Sequence, residues 1–401
     1  MAGLIACRVG LGVLEAGFGA GVPYYLSLCY RRHELGTRVS ILLGSSPIAN
    51  CIAGAIAYGI SQIRSDMEPW RLIFLIGKLL PCDYALPVEL NANPIMLEGS
   101  PSIVIAPIVW FVLMDSPSTA KFFTNEERTF AVERMETRDT TRKSSLSRAQ
   151  LFAGLTDYKN YCHACLHFCC NYSFAGLSNF LPTIVHEMGY DSVQAQGLTA
   201  PPYFGAFLSS ILVAWLSDRY GSRGWILAIS ASVATVGYAL LATQTGTAVR
   251  YVAIWLTSCG VFPALAINMT WMLNNNAGDT KKGIGMSLLA IIGQCSSFLA
   301  SFMYPNSAAY VHFLSSDPSE DLPLKYRHSY GLTYNRPYFI KGTAIGCGLT
   351  GIIVPVGLVL HFSYAAENRR RDREFGPVPQ SDGPIDVSAV GDKHNHFRLL
   401  T

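Results

Sequence analysis

Charge is scarce in this sequence. Only 14% of its 401 residues are Asp, Glu, Lys or Arg, against about 25% in soluble domains, while 50% are hydrophobic. The length alone would suit two or three soluble domains. The shortage of charge argues against them, because the apolar residues fall in long blocks with most of the charge confined to short stretches between. That is the pattern of a chain whose solvent is lipid. Other things are missing too. No cleavable signal pattern is present, since Met1 runs directly into an apolar block without a basic leader. Phosphate loops, nucleophile elbows and zinc-hydrolase motifs are absent, so nothing points to an enzyme or a cofactor. The basic residues form no nucleic-acid patch, and a net charge of +3 says little about partners.

Cysteine is plentiful, with 11 residues. Most lie inside apolar blocks, where Cys behaves as a small hydrophobe and is expected to stay reduced. The sequence Cys162-His163-Ala164-Cys165-Leu166-His167-Phe168-Cys169-Cys170 invites a metal reading. Helical spacing separates its Cys face from its His face, and one unbroken helix cannot wrap them around an ion, so no metal is expected. Glycosylation sequons at Asn171 and Asn268 sit mid-block, at membrane depth, and are discounted.

A membrane-spanning helix needs about 20 mostly apolar residues. Nine blocks reach or approach that length: 2–28, 39–63, 101–115, 161–184, 200–217, 224–243, 250–273, 284–304 and 338–362. The third is short and is expected to borrow residues upstream. Glycines in the first block, at 10, 12, 17, 19 and 21, would permit close helix contact in a membrane. Orientation follows from charge. If the first block runs from outside to inside, the inner segments are 29–38, 116–160, 218–223, 274–283 and the tail after 363. Together they hold 21 of the 30 Lys and Arg, which the positive-inside rule selects. The amino terminus then starts outside, and the expectation is that an odd number of helices is missing ahead of it.

Particular residues suggest a family. The first block contains Arg8-Val9-Gly10-Leu11-Gly12, then Leu14-Glu15-Ala16-Gly17-Phe18, and ends near Tyr24-Tyr25-Leu26-Ser27. Further on stand Phe180-Leu181-Pro182-Thr183-Ile184, Met188-Gly189-Tyr190, Ala200-Pro201-Pro202-Tyr203 and Asn274-Asn275-Asn276. The first of these resembles the fourth-helix motif of the major facilitator superfamily. Together they resemble its fungal allantoate, nicotinate and pantothenate permease branch, within the anion:cation symporters, over about three quarters of the chain. The resemblance implies an all-helical polytopic membrane fold in which the nine blocks are family helices four to twelve. On that reading helices one to three are expected to be missing, in agreement with the charge parity. Ala214-Trp215-Leu216-Ser217-Asp218-Arg219-Tyr220-Gly221-Ser222-Arg223 is similar to the superfamily's loop motif, with Ala214 where the family has Gly. Asp218, Arg219, Gly221 and Arg223 are therefore expected to latch helix ends on the inner side, and an ordinary basic loop is the alternative. In the family Trp70-Arg71 and Phe74 would lead directly into Glu98-Gly99. Here 77–97 intervenes, either a retained intron or an extracellular insertion, and 311–335 is similarly foreign.

Several residues could serve transport. Arg8 and Glu15 are two helical turns apart and share a face. Charges inside a span are costly unless they face a cavity. The resemblance implies that Glu15 takes up a proton and Arg8 favours anions; structural pairing with the missing helices is the alternative. Asn268, Thr270 and Trp271 lie toward the inner end of one span and are candidate substrate contacts, or helix-to-helix hydrogen bonds. Asn171, Tyr172 and Gln294 are further cavity candidates. In the inner loop, Thr124 with Glu127 three residues later reads as a helix cap. Past Arg369-Arg370-Arg371 the Pro- and Gly-rich tail is expected to be disordered.

The expected organisation is 1–115 as a partial amino-terminal bundle, 116–160 as a cytoplasmic linker, 161–363 as a six-helix bundle and 364–401 as a cytoplasmic tail. The expected function is proton-coupled symport of a small organic anion, a vitamin carboxylate or a ureide, by a plasma-membrane monomer. A non-transporting receptor, a facilitator of neutral solutes and an inactive product of a defective gene model remain as alternatives, and the substrate itself is not readable.

Overall fold

A computed structural model describes residues 2–61, 100–113, 120, 123–136, 147–186, 188–244, 246–304, 340–376 and 397–401. The segments 77–97 and 311–335 lie outside the described residues, as do 137–146 of the linker and 377–396 of the tail. Among the described residues there are helices and no strand, as the apolar blocks require. In chain order they are α1 (Ala2–Cys29), α2 (Leu35–Ser61), α3 (Ser100–Val112), α4 (Asn125–Glu136), α5 (Arg148–Thr156), α6 (Tyr158–His186), α7 (Ser192–Tyr220), α8 (Arg223–Thr243), α9 (Thr247–Asn275), α10 (Asp279–Met303) and α11 (Ile340–Phe375).

Among the described residues six helices, α2 and α7 to α11, are long and apolar enough to cross a membrane. The sequence suggested nine spans. Of the other three, α1 and α6 have the length, 28 and 29 residues. The buried side of α6 carries Asn160, His163, His167, Asn171 and Ser173, which dilutes its apolar character. The third expected span is described only over the 13 residues of α3, and 62–99 and 114–119 on either side lie outside the described residues.

The bundle is organised around α9, which packs against α2, α6, α7, α8 and α10. Every residue of α9 from Gly260 to Asn275 is buried, so the helix meets neighbours on all sides. On the perimeter, Phe204, Leu208, Leu212 and Trp215 form an exposed stripe down α7, and Ile352, Val359 and Phe362 one down α11. Large apolar stripes of this kind suit lipid.

Close helix approach is concentrated at α8 and α9. A Cβ on Gly260 would stand 2.6 Å from the Ala234 nitrogen and 2.6 Å from the Ser230 oxygen, both backbone atoms that cannot swing aside. Gly260→Val is therefore expected to force the helices apart and lower the thermal midpoint in detergent, with a cost of about 1–3 kcal/mol or more. Gly348→Val is the control, because a Cβ there meets nothing within 4 Å. Equal midpoints for the two variants would contradict this packing. At Gly10, Gly12, Gly17, Gly19 and Gly21 of α1 an added Cβ meets no described atom within 4 Å.

The linker carries α4 and α5. The cap read at Thr124 is present. Its hydroxyl accepts from the Glu127 N–H at 3.3 Å and its N–H donates to the Glu127 carboxylate at 2.9 Å. These bonds hold the Glu127 carboxyl below its ordinary pKa. Helix α5 lies against the start of α10, where the Gly154 position abuts Ile284 and Lys281.

Of the tail expected to be disordered, the Pro- and Gly-rich stretch 377–396 lies outside the described residues. On one side of it, helix α11 runs past 363 to Phe375, its last turns braced by Glu367 pairing with Arg371 at 2.9 Å and Arg370 at 3.0 Å. On the other, residues 397–401 are folded back on the bundle with Phe397 and Leu399 each 3% exposed.

Candidate functional site

Charges at the ends of apolar helices must be either hydrated or paired. At one end of the molecule several are paired. The end of α1, the start of α2, the junction of α7 and α8, the start of α10 and the end of α11 meet there and carry the basic segments of the sequence. Asp218, in the last turn of α7, is the central acceptor. Its carboxylate takes the Thr37 N–H at 2.7 Å, the Thr37 hydroxyl at 2.8 Å and the Arg223 guanidinium at 2.6 Å. Arg223 also donates to the Arg32 carbonyl at 3.3 Å. The two side chains are 10% and 1% exposed, so this is a buried pair tying α2 to α7 and α8. Gly36 makes the approach feasible, since any Cβ there would strike both Asp218 and Arg223.

Of the four expected latch residues, the structure brings Asp218 and Arg223 together. Gly221 shapes the corner: at φ +64° it caps α7 in the left-handed region, donating its N–H to the Ser217 carbonyl at 3.0 Å. Arg219 turns away, with its guanidinium 5.3 Å from the Trp215 ring. A second buried pair was not read from the sequence. Asp157, at the start of α6, holds Lys281 of α10 at 2.5 Å, with exposures of 14% and 5%. Each partner looked like an ordinary inner-loop charge, and only the fold sets them side by side.

The expected substrate residues divide. Asn268 is fully buried. Its amide donates to the His163 carbonyl at 3.0 Å and its oxygen lies 2.8 Å from His163 Nδ1. His163 Nε2 is 3.1 Å from the Tyr364 hydroxyl, and Trp271 stands edge-on to both rings at 5.1 and 5.5 Å. A polar cluster thus joins α6, α9 and α11. His163, considered in the sequence only as a metal ligand, is its hub; a histidine within a span is the signal that could have marked it. Trp271 Nε1 donates to the Leu400 carbonyl at 2.7 Å. Thr270 bonds within its own helix, to Ala266 at 2.9 Å.

Asn171 reaches α10 instead, donating to the Gly293 carbonyl at 3.0 Å and facing the Ser296 and Ser297 hydroxyls at 3.2 Å. Tyr172 donates to the Gly342 carbonyl at 3.0 Å, joining α6 to α11. Both act as ties between helices, one of the two readings open from the sequence for polar residues in spans. Gln294 is exposed on α10 and accepts from Ser297 at 3.3 Å. In α1, Glu15 is exposed; Arg8 lies in the same helix, but its side chain is not among those described. Among the described residues no three His, Cys, Asp or Glu side chains gather closely enough to share a metal ion.

One feature of the basic end was not foreseen. A cleft of about 50 Å³ lies between the α1–α2 turn and the end of α9, lined by Arg31, Arg32, Asn274, Lys282 and Phe397 among others. Asn274 is 2% exposed, and neither its amide nitrogen nor its oxygen has a hydrogen-bond partner among the described residues. A buried amide so placed costs about 1–3 kcal/mol unless something binds it.

Comparison with known proteins agrees with this architecture. Residues 93–301 match the model of the Major Facilitator Superfamily. An uncharacterized transporter of Schizosaccharomyces pombe is 27% identical over 400 residues, covering 99% of this chain and 69% of the relative. A second from the same yeast is 31% identical over 317 residues, covering 77% and 58%. The high-affinity nicotinic acid transporter of Saccharomyces cerevisiae is 23% identical over 399 residues, covering 99% and 66%. This chain spans about two thirds of the length of such relatives. With a family match over half its residues and a bundle of membrane-length helices beneath it, the chain belongs to the Major Facilitator Superfamily of membrane transporters.

Proposed function

We propose that this protein carries a small organic anion across the plasma membrane in symport with protons, and that a vitamin carboxylate such as nicotinate is the class of substrate. The observation that carries the anion reading is the cleft at the basic end. Three cationic residues, Arg31, Arg32 and Lys282, and the unpartnered Asn274 line one small opening between α1 and α9. A carboxylate passing there would be drawn by the positive field and offered an amide donor. Similarity to a nicotinic acid transporter points to the same chemistry.

In this reading α1 to α3 belong to one moving half and α6 to α11 to the other, with 116–160 linking them on the cytoplasmic side. The two halves rock about a midplane site, and the Asp218 junction holds the cytoplasmic ends together until substrate loads. Arg8 and Glu15 supply anion preference and proton uptake. Asn268 and Trp271, with Gln294, bear on the substrate path, while Asn171, Tyr172 and Thr270 hold the helices that frame it.

The test is uptake into proteoliposomes. Radiolabelled nicotinate is expected to accumulate and nicotinamide, its neutral counterpart, is not. Equal transport of both, or of neither by protein that is folded and inserted, would overturn the anion reading. Sidedness gives a second check. Reagents confined to the cytoplasmic side are expected to reach Arg128 and Arg219 alike; modification of the two from opposite sides would contradict the orientation.

A further inference from the structure

Residues 397–401 make more specific contacts than a passive tail requires. Their side chains alternate, Phe397 and Leu399 inward and the others less buried, as in an extended strand. The two inward side chains join the apolar cluster around Trp271, Leu360 and Tyr364. All five backbone oxygens accept hydrogen bonds. Phe397 receives Arg371 at 2.8 Å, and Arg398 receives Arg32 at 3.1 Å. Leu399 receives Asn368 at 2.8 Å and returns its N–H to the same amide at 2.9 Å. Leu400 receives Trp271 Nε1 at 2.7 Å and Asn275 at 3.0 Å, and donates to Asn275 at 2.8 Å. Thr401 receives the Arg223 N–H at 2.5 Å and the Gly224 N–H at 3.4 Å, the open donors at the start of α8.

These partners lie on both sides of the basic mouth. Asn275, Trp271, Asn368, Arg371 and the start of α8 belong to the six-helix group, whereas Arg32 belongs to the α1–α2 turn. Its guanidinium also sits 4.5 Å from the Phe397 ring, and Phe397 forms one wall of the Asn274 cleft. The segment therefore occupies the polar end of α9 and ties that end across to the other half.

We propose that residues 397–401 are an intramolecular strap that plugs this mouth and must leave before it opens. The Leu400 carbonyl takes two donors at the adjoining end of α9, on Trp271 and Asn275, while Phe397 walls the cleft itself. The assignment of the mouth to a transport path rests on the function proposed above; the docking of the strap does not.

The experiment uses the full chain in detergent and three readouts. Carboxypeptidase release of Thr401 and Leu400 reports docking. Hydrogen exchange in residues 29–37 reports whether the strap holds the two halves together. Nicotinate counterflow in proteoliposomes reports gating. Asn368→Leu removes both bonds to Leu399, and release is expected to be about thirtyfold faster, the change for two hydrogen bonds of ordinary net worth. Arg398→Glu breaks the 2.8 Å pair with Asp372 from within the strap, where it cannot disturb the bundle. It is expected to act in the same direction by a smaller factor, and Asp372→Arg in the same chain should restore slow release. Exchange in 29–37 and counterflow should rise in step with release. If the parent chain loses its end residues as fast as the variants, docking is wrong. If release quickens while exchange in 29–37 stays unchanged, the strap does not close the mouth. A parent that moves no nicotinate but shows the expected release and exchange would refute the transport reading and leave the strap intact.

Discussion

Replacing Asp218 by Ala is expected to lower stability by about 3–5 kcal/mol and to release α2 from α7 at the basic end. The magnitude follows from what remains behind. Arg223 is 1% exposed and has Asp218 as its ion-pair partner at 2.6 Å. Taking away one member of a buried pair leaves the other charge uncompensated, which costs more than the pair itself contributes. The consequence for mechanism comes from Thr37. Both its N–H and its hydroxyl bond to the same carboxylate, and together they are the polar seam between α2 and α7 at that end. Asp218→Asn should be milder in stability, since the amide keeps one acceptor, yet should still loosen the seam. Thermal unfolding in detergent and solvent accessibility of Thr37→Cys are the readouts. An Ala variant as stable as the parent, with position 37 still protected, would mean that Asp218 holds nothing together.

The second large effect is expected in α1. Arg8→Ala should remove anion binding, and Glu15→Gln should leave exchange of substrate across the membrane while abolishing accumulation against a gradient. Two opposite charges on one face of a spanning helix are stable only beside water or each other. In the proposed mechanism a bound anion would compete with Glu15 for Arg8, and its binding would free the carboxylate to take a proton. Gln cannot take that proton, and coupling is lost while the path stays open. Uptake and counterflow measured side by side separate the two roles. Concentrative uptake by Glu15→Gln equal to that of the parent would make Glu15 a structural partner of Arg8 and nothing more.

Much of the fold was legible because lipid imposes a simple rule: apolar runs of sufficient length become helices. Blocks such as 224–243 and 250–273 correspond to α8 and α9 with shifts of a few residues at the ends. The corner at Asp218 was also legible, because an acid, a Gly able to adopt φ +64° and an Arg within six residues specify a tight junction locally. What sequence could not give was the identity of distant partners. Asp157 and Lys281 are 124 positions apart, and Asn268 and His163 are 105 apart. Periodicity says which face a residue occupies and nothing about which helix meets that face. The candidate site suffered from this most. Asn171 and Tyr172 had the composition of cavity residues, and the fold spends both on helix ties. The strap was hidden for a different reason: five residues beyond a Pro- and Gly-rich stretch have no period to read, and their order comes from Asn275, Asn368 and Arg371 elsewhere in the chain.

The central claim, coupled movement of an organic anion and protons, is tested most directly by recording internal pH in proteoliposomes while nicotinate is added outside with no imposed gradient. The expected result is acidification of the interior that requires both the anion and Glu15, and that is absent with nicotinamide. Labelled nicotinate entering at an undiminished rate with the internal pH unchanged would contradict it.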